Sequence, residues 1–172
     1  KANTYYASNR TPLLIRWPGV VKAGTVNSCD LISTVDYFAT ILDVLKISFK
    51  GKTDGRSFFP LLSGKKQAGR EKVFTQIDTK QAGGPTPMRS LVTADYSYIF
   101  NAWADGERVY RNNNEGLTMR AMEEAAATNP AAAERVKTFR YRFQEELYDL
   151  KKDPDGLHNL AYDPQFKVRL EA

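Results

Sequence analysis

The stretch that decides the fold is "RSLVTADYSYIFNAW", residues 89–103. It is rich in Val, Tyr, Ile and Phe, the residue types that suit a pleated, half-buried surface. Asp95 falls in its middle, where a polar residue is expected to turn the chain and split the run into two short antiparallel strands. Upstream, "KVFTQI" (72–77) has the same strand character. The intervening "QAGGPTP" (81–87) is too long and too rich in Gly and Pro for a tight hairpin. Downstream, "QEELYDLKKDPDGLHNLA" (144–161) opens as a strand and runs into a polar turn around Asp153 to Gly156. Tyr141, Arg142 and Phe143 read as alternating strand residues.

Helical patterns precede these strands and interrupt them in the sequence. In "STVDYFATILDVLKI" (33–47), Val35, Phe38, Leu42 and Leu45 recur at three- and four-residue spacing, which predicts a helix with an apolar docking face. Ser33 followed by Asp36 fits an N-terminal capping pattern. "LTMRAMEEAAATNPAAAERVKTF" (117–139) is Ala-rich and helix-favouring, with a break near Asn129-Pro130. Leu13 to Trp17 reads as a short buried strand closed by the turn pair Pro18-Gly19. "KTDGRSFFPLLSGKK" (52–66) reads as irregular, anchored by Phe58, Phe59, Leu61 and Leu62, and "PQFKVRLEA" (164–172) begins a helical pattern. The expected class is α/β, or α+β for this stretch alone. A strand and docking helix come first, then a small antiparallel sheet with helical cover. The division expected is residues 1–65 and 66–172.

Bulk properties narrow the function. The 172 residues are 42% apolar and 12% aromatic, enough for a core, and the formal net charge of +5 mildly favours an anionic partner. No apolar run approaches the roughly 20 residues of a membrane span, and nothing calls for a nucleic-acid partner. His158 is the one histidine, so a histidine pair for zinc cannot form. There is no G-x-S-x-G elbow, no phosphate-binding glycine loop and no dinucleotide fingerprint. Cys29, in "NSCDLI", reads as a small, partly buried thiol. "DLKKDPDG" (149–156) lacks EF-hand spacing and reads as a turn whose aspartates accept from local N–H groups. On residue types alone the chain is not a self-sufficient enzyme.

Four stretches, in order, resemble the sulfatase family. "KANTYYASNRTPLLIRWPG" (1–19) is similar to the family segment G-K-x-x-x-Y-E-x-x-x-R-V-P-L-I-I-R-W-P-G, with Lys1, Tyr5, Arg10, Pro12 and Arg16 to Gly19 in register. Residues 33–47 resemble the helix that follows. "DGRSFFPLL" (54–62) resembles D-G-x-S-L-x-P-L-L, and "ELYDLKKDPDGLHNLAYDP" (146–164) resembles E-L-Y-D-L-x-x-D-P-x-E-x-x-N-L-A. Residues 87–101, 139–154 and 160–172 are most similar to the heparan N-sulfatase branch, which removes sulfate from glucosamine nitrogen. Two departures stand out: Tyr6 replaces a common Glu, and Gly156-Leu157-His158 replaces a more acidic run.

The resemblance implies a C-terminal part of a sulfatase, cut inside the active-site region and inactive by itself. In the family the nucleophile, oxidised to formylglycine, and the calcium ligands lie N-terminal to the matched stretch, so no metal or cofactor is expected on these residues. Lys1 aligns with the basic residue that contacts sulfate, where a cation stabilises charge gathering on the sulfuryl oxygens. Arg10 and Trp17 are expected to anchor and pack. Arg89 is the best candidate for binding an anionic sugar through its planar fork, set against an ion pair within the sheet. His158 and Arg142 are further substrate-binding candidates, set against a solvated histidine and a strand arginine. The implied partner is a sulfated sugar or glycan, with the rest of the parent chain packing on residues 13–45. The implied location is periplasmic, secreted or lysosomal. Two other readings remain: a non-catalytic module that binds anionic glycans, and a fragment of a related phosphoesterase or phosphonate hydrolase. An enzyme fragment should expose an apolar patch that includes Leu13, Ile15 and the Val35/Phe38/Leu42 face; a self-contained module should cover it.

Overall fold

The computed structural model describes residues 3–78, 80–81, 84–111 and 116–167. The chain separates into two compact units, one formed by residues 11–74 and the other by the stretch up to Arg10 together with residues from Thr75 onward.

In chain order the elements are α1 (Tyr6–Asn9), α2 (Asp36–Val44), α3 (Phe59–Leu62), β1 (Lys72–Ile77), β2 (Lys80–Gln81), β3 (Gly84–Pro85), β4 (Met88–Thr93), β5 (Tyr96–Asn101), α4 (Leu117–Ala126), α5 (Pro130–Tyr141) and β6 (Glu145–Asp149). A final 3-10 turn covers Pro164–Phe166. The main sheet has the order β1-β4-β5-β6, and β2 pairs with β3 in a small ribbon of its own.

The turn at Asp95 forms as the sequence predicts. The Thr93 hydroxyl oxygen accepts from the N–H groups of Asp95 (3.3 Å) and Tyr96 (3.0 Å), which closes the link between β4 and β5. Register then decides which side chains meet, because residues opposite one another in an antiparallel pair share a face. Met88 opposes Asn101, Ser90 opposes Ile99, and Val92 opposes Ser97. Ile99 opposes Glu146 and Ser97 opposes Tyr148. All of these residues are buried, and Met88, Ile99 and Tyr148 join Trp103, Ala104 and Tyr110 in the core. Glu146 therefore enters the core because it has the same strand parity as Tyr148.

The two helices α4 and α5 also follow the sequence. Asn129 caps α5, its side-chain oxygen accepting from the N–H groups of Ala131 (3.0 Å) and Ala132 (3.3 Å), with Pro130 in the first turn. Arg140 on α5 pairs with Glu123 on α4 at 2.7 Å. Residues 141–143 depart from expectation. Tyr141 ends α5 and Arg142 is its C-cap at φ +53°, so the run is a helix terminus rather than a strand.

The unit of residues 11–74 is built around a buried ion pair. Asp36 and Arg70 meet at 2.5 Å, with side chains 8% and 5% exposed. The Asp36 carboxylate also accepts from the N–H groups of Ser33 (3.1 Å) and Arg56 (2.8 Å). Arg70 donates onward to the carbonyls of Arg56 and Ser57 and to Gln67. Gly55 is required here, since a Cβ on it would lie 2.1 Å from the Val35 carbonyl oxygen. Thr40 accepts from the Phe58 N–H and donates to the Asp36 carbonyl. Trp17 packs on Phe59 with ring centroids 5.7 Å apart.

Two expectations for this unit need correction. Residues 11–17 form no strand, because no described segment supplies the ladder that a strand's backbone groups need, and Leu14 is 92% exposed. Cys29 is an exposed free thiol rather than a partly buried one, its loop folded about the Asn27 side chain, which accepts from the N–H groups of Cys29 and Asp30. Of the apolar patch expected from sequence, Leu13, Val35 and Phe38 are exposed, whereas Ile15 and Leu42 are half-buried; Ile41 and Leu45 are exposed besides.

Candidate functional site

The densest cluster of polar side chains in the core centres on Glu146, which is fully buried. Its Oε1 accepts from the Tyr5 hydroxyl at 2.5 Å and from Asn101 Nδ2 at 2.7 Å. Its Oε2 accepts from the Tyr148 hydroxyl. Asn101 is itself held by a second bond from Nδ2 to the Phe143 carbonyl at 2.8 Å. Three donors on one carboxylate supply the compensation that a buried anion requires. Burial, and next the charge of Glu146, push the Tyr5 and Tyr148 hydroxyls above the ordinary phenol range. Both phenols therefore stay protonated at neutral pH and act as donors, not as bases or nucleophiles.

Arg142 completes the cluster. Its guanidinium carbon lies 4.2 Å from the Tyr5 ring centroid, 5.0 Å from that of Phe139 and 5.9 Å from that of Tyr110. Stacked on aromatic faces, its guanidinium lies over the ring of Tyr5, the phenol that donates to Glu146. The Arg142 Nε and the Asn101 Oδ1 are buried without a hydrogen-bond partner among the described residues.

The consequence of this arrangement is local to the N-terminal segment. Thr4 is 1% exposed, and the Tyr5 N–H donates to the Asn3 side chain at 3.2 Å. Tyr5 also caps the start of α1, its carbonyl accepting from the N–H groups of Ser8 and Asn9. Asn9 Nδ2 donates to Thr75 Oγ1 at 3.1 Å. The segment is thus attached outside itself through Tyr5 on Glu146 and Asn9 on Thr75, with Thr4 buried beside Tyr5 in the chain.

The residues singled out from sequence fare differently. Lys1 lies outside the described residues. Arg142 joins the Glu146 cluster. Arg89 lies on the exposed side of β4 and pairs with Asp78 at 2.7 Å, with further bonds to the carbonyls of Met88 and Ile77. His158 is exposed, and its backbone N–H donates to Asp153 at 2.8 Å beside that of Leu157 at 2.9 Å. Asp153 thus makes the turn the sequence predicts. Arg10 lies over the Tyr6 ring at 5.7 Å. Sequence reasoning passed over Glu146, Tyr148 and Asn101 as functional residues. The available signal was a charged residue at an inward position of a strand, two residues before a tyrosine.

Among the described residues, no group of three or more His, Cys, Asp or Glu is placed to hold a metal ion. Cys29 lies in an exposed loop with no nucleophile motif around it. The described residues therefore do not fit a calcium ion or a formylglycine, and no chemical step is assigned to either here. Among them, no helix is long and apolar enough to cross a membrane.

The family model for the C-terminal part of N-sulphoglucosamine sulphohydrolase matches residues 1–110. The chain belongs to this family. It is 32% identical over 161 residues to an ulvan-active sulfatase of Formosa agariphila, covering 92% of this chain and 30% of that protein. It is 27% identical over 181 residues to mouse (Mus musculus) arylsulfatase K, covering 99% of this chain and 25% of that protein. The fold is shared with a protein solved in complex with its substrate, D-glucosamine-2-N,6-O-disulfate. That likeness has a TM-score of 0.58 at 20% identity, over 94% of this chain and 26% of the other. The chain thus spans no more than 30% of these curated relatives. As a sulfatase C-terminal part it has the expected α+β architecture, mixing helices with a four-stranded antiparallel sheet.

Proposed function

We propose that this chain is the C-terminal portion of a sulfatase that hydrolyses sulfate esters or N-sulfate groups on a sulfated sugar or glycan. Water is added across the S–O or S–N bond, releasing sulfate and the free hydroxyl or amine. In this reading Lys1 is the cation that meets the sulfate, stabilising negative charge on the sulfuryl oxygens as the bond breaks. The nucleophile and the metal come from other residues of a longer polypeptide, so the 172 residues alone have no turnover. The observation that carries the proposal is the family match, which begins on the segment holding Lys1 and Tyr5.

The exposed apolar residues of α2 support a second part of the reading. Val35, Phe38, Ile41 and Leu45, spaced three and four residues apart along and beside α2, are each at least half exposed, and Leu13 and Leu14 are exposed as well. Packing of the rest of the longer polypeptide on residues 13–45 accounts for this exposure. The nature of the substrate points to a periplasmic, secreted or lysosomal enzyme. Arg89 and His158 remain candidates for contacting the sugar, Arg89 by exchanging Asp78 for an anionic group.

The test is a substrate panel given to the longer protein. The panel holds N-sulfated glucosamine, a 6-O-sulfated sugar, an ulvan oligosaccharide and a phosphonate monoester. Release of inorganic sulfate is expected, with N-sulfated glucosamine turned over at the highest kcat/KM. Cleavage of the phosphonate alone would replace the reading with the phosphonate hydrolase one. Binding of glycans without cleavage would replace it with the non-catalytic one.

A further inference from the structure

We infer that the end of α5, where Arg142 and Arg135 meet the Phe139 ring, is a subsite for a second sulfate group of the sugar, beside the one that is cleaved. The inference rests on the reading of the chain as part of a sulfatase that acts on a sulfated sugar.

Arg142 is a cation without an acceptor. Among the described residues it forms no ion pair and donates no side-chain hydrogen bond, and its Nε is buried and unpaired. Glu146 does not fill this role, since its oxygens already accept from other donors, Oε1 from Tyr5 and Asn101 and Oε2 from Tyr148. The rings of Tyr5, Phe139 and Tyr110, with centroids 4.2 to 5.9 Å from the guanidinium carbon, hold the group in place. They attract its charge, yet they leave its planar N–H fork without acceptors, and that fork suits the oxygens of a phosphate-like oxyanion such as sulfate.

A second cation shares the place. The Arg135 guanidinium carbon lies 6.0 Å from the Phe139 ring centroid, so both charges fall within 6.0 Å of one point. Arg135 likewise has no ion pair among the described residues. Like charges this close repel, and an anion between or beside them removes the cost. The helix dipole accounts for basic residues in the last turn of α5, and Arg140 there has its own carboxylate, Glu123, at 2.7 Å. Arg142 and Arg135 have none. Both are half-buried, which leaves part of each within reach of a ligand.

The backbone points the same way. At φ +53° and ψ 177°, Arg142 sits in a region that glycine enters freely and a residue with a Cβ enters only under strain. A helix end whose only task was to turn the chain would be served as well by glycine. Strain of this kind persists where the side chain is needed in that place.

The experiment compares two sugars in the longer protein, with release of inorganic sulfate as readout. One is glucosamine with an N-sulfate alone, the other glucosamine with both an N-sulfate and a 6-O-sulfate. The wild type is expected to favour the disulfated sugar, chiefly through a lower KM. Arg142→Met keeps bulk against the rings and removes the charge. It should shrink that preference, the ratio of the two kcat/KM values, by about ten-fold to 100-fold, the size of a lost charge-assisted hydrogen bond. Arg142→Lys should recover part of the preference, and Arg135→Met should shrink it less. Arg140→Met is the control and should leave the ratio as it is. Equal loss of turnover on both sugars in Arg142→Met marks a purely structural residue and overturns the inference, as does a wild type without the preference. A crystal structure of the longer protein with the disulfated sugar bound tests the subsite even where Arg142→Met fails to fold. A sulfate oxygen within about 3.2 Å of the Arg142 guanidinium is expected, and an Asp or Glu of the longer polypeptide in that place overturns the inference. No sulfate release from either sugar by the wild type instead overturns the reading of the activity beneath it.

Discussion

Two buried carboxylates, Asp36 and Glu146, organise the two units of this chain in opposite ways. Asp36 is paired directly with an arginine and collects backbone N–H groups, so it holds loops together. Glu146 takes two phenols and an amide, all from side chains, and so joins elements across a core. The surroundings differ in the same sense. Of the buried apolar residues among those described, Phe58 alone belongs to residues 11–74, while Met88, Ile99, Trp103, Tyr110 and Leu147 belong to the other unit. A unit that keeps its apolar residues outside must rely on polar cross-links for its shape. A unit with a core can use a buried polar cluster for direction.

That contrast can be broken in several places, and the largest effect belongs to the ion pair. Asp36→Ala leaves the Arg70 guanidinium buried without its counter-charge and is expected to cost about 3–5 kcal/mol. Denaturant unfolding of the longer protein measures it, and a loss below about 1 kcal/mol would mean that the pair is dispensable. Next comes the exposed helix face. Ile41→Ala in the longer protein should cost about 2–5 kcal/mol if another part of the polypeptide covers α2, as proposed. An unchanged unfolding midpoint would leave that face bare and return the chain to a self-contained module.

A smaller loss is expected at the other carboxylate. Tyr148→Phe removes the donor to Glu146 Oε2 and should cost about 1–3 kcal/mol, less than Asp36→Ala because two donors remain. A loss equal to that of Asp36→Ala would erase the distinction between the two centres. The smallest effect belongs to an exposed carboxylate. Asp105 accepts from the N–H groups of Arg108 (2.8 Å) and Glu107 (3.0 Å), and these bonds hold its carboxyl below the usual range. Its folded pKa is lowered, so its stabilisation is present above the unfolded value near 4 and is lost as pH falls through the folded value. The stability difference between the wild type and Asp105→Asn should therefore be present at pH 6 and shrink below about pH 4. A difference independent of pH would remove the charge from the explanation.

Much of the fold was legible because it rests on local signals. Asp95 divides β4 from β5, Asn129-Pro130 divides α4 from α5, and Gly156 takes the left-handed turn after β6, each through the backbone preference of one or two residues. The errors share one cause. Leu13 to Trp17 has strand composition, but composition does not provide a neighbour to pair with. Residues 141–143 alternate like a strand, but α5 runs as far as Tyr141 and turns at Arg142. Of the candidate site, Arg142 was singled out as a substrate-binding candidate in a strand; its stacking on Tyr5, Phe139 and Tyr110 was not foreseeable from its neighbours.

The order of the motifs, from the Lys1 segment through "DGRSFFPLL" to "ELYDL", pointed by itself to the family, and local turn and periodicity signals placed most of the strands and helices. Tertiary structure alone decided that Tyr5 and Glu146, 141 positions apart, would share a hydrogen bond. The reason is physical: turns and periodicity are written in neighbouring residues, whereas the partner of a buried charge is set by strand register and by how the chain closes on itself.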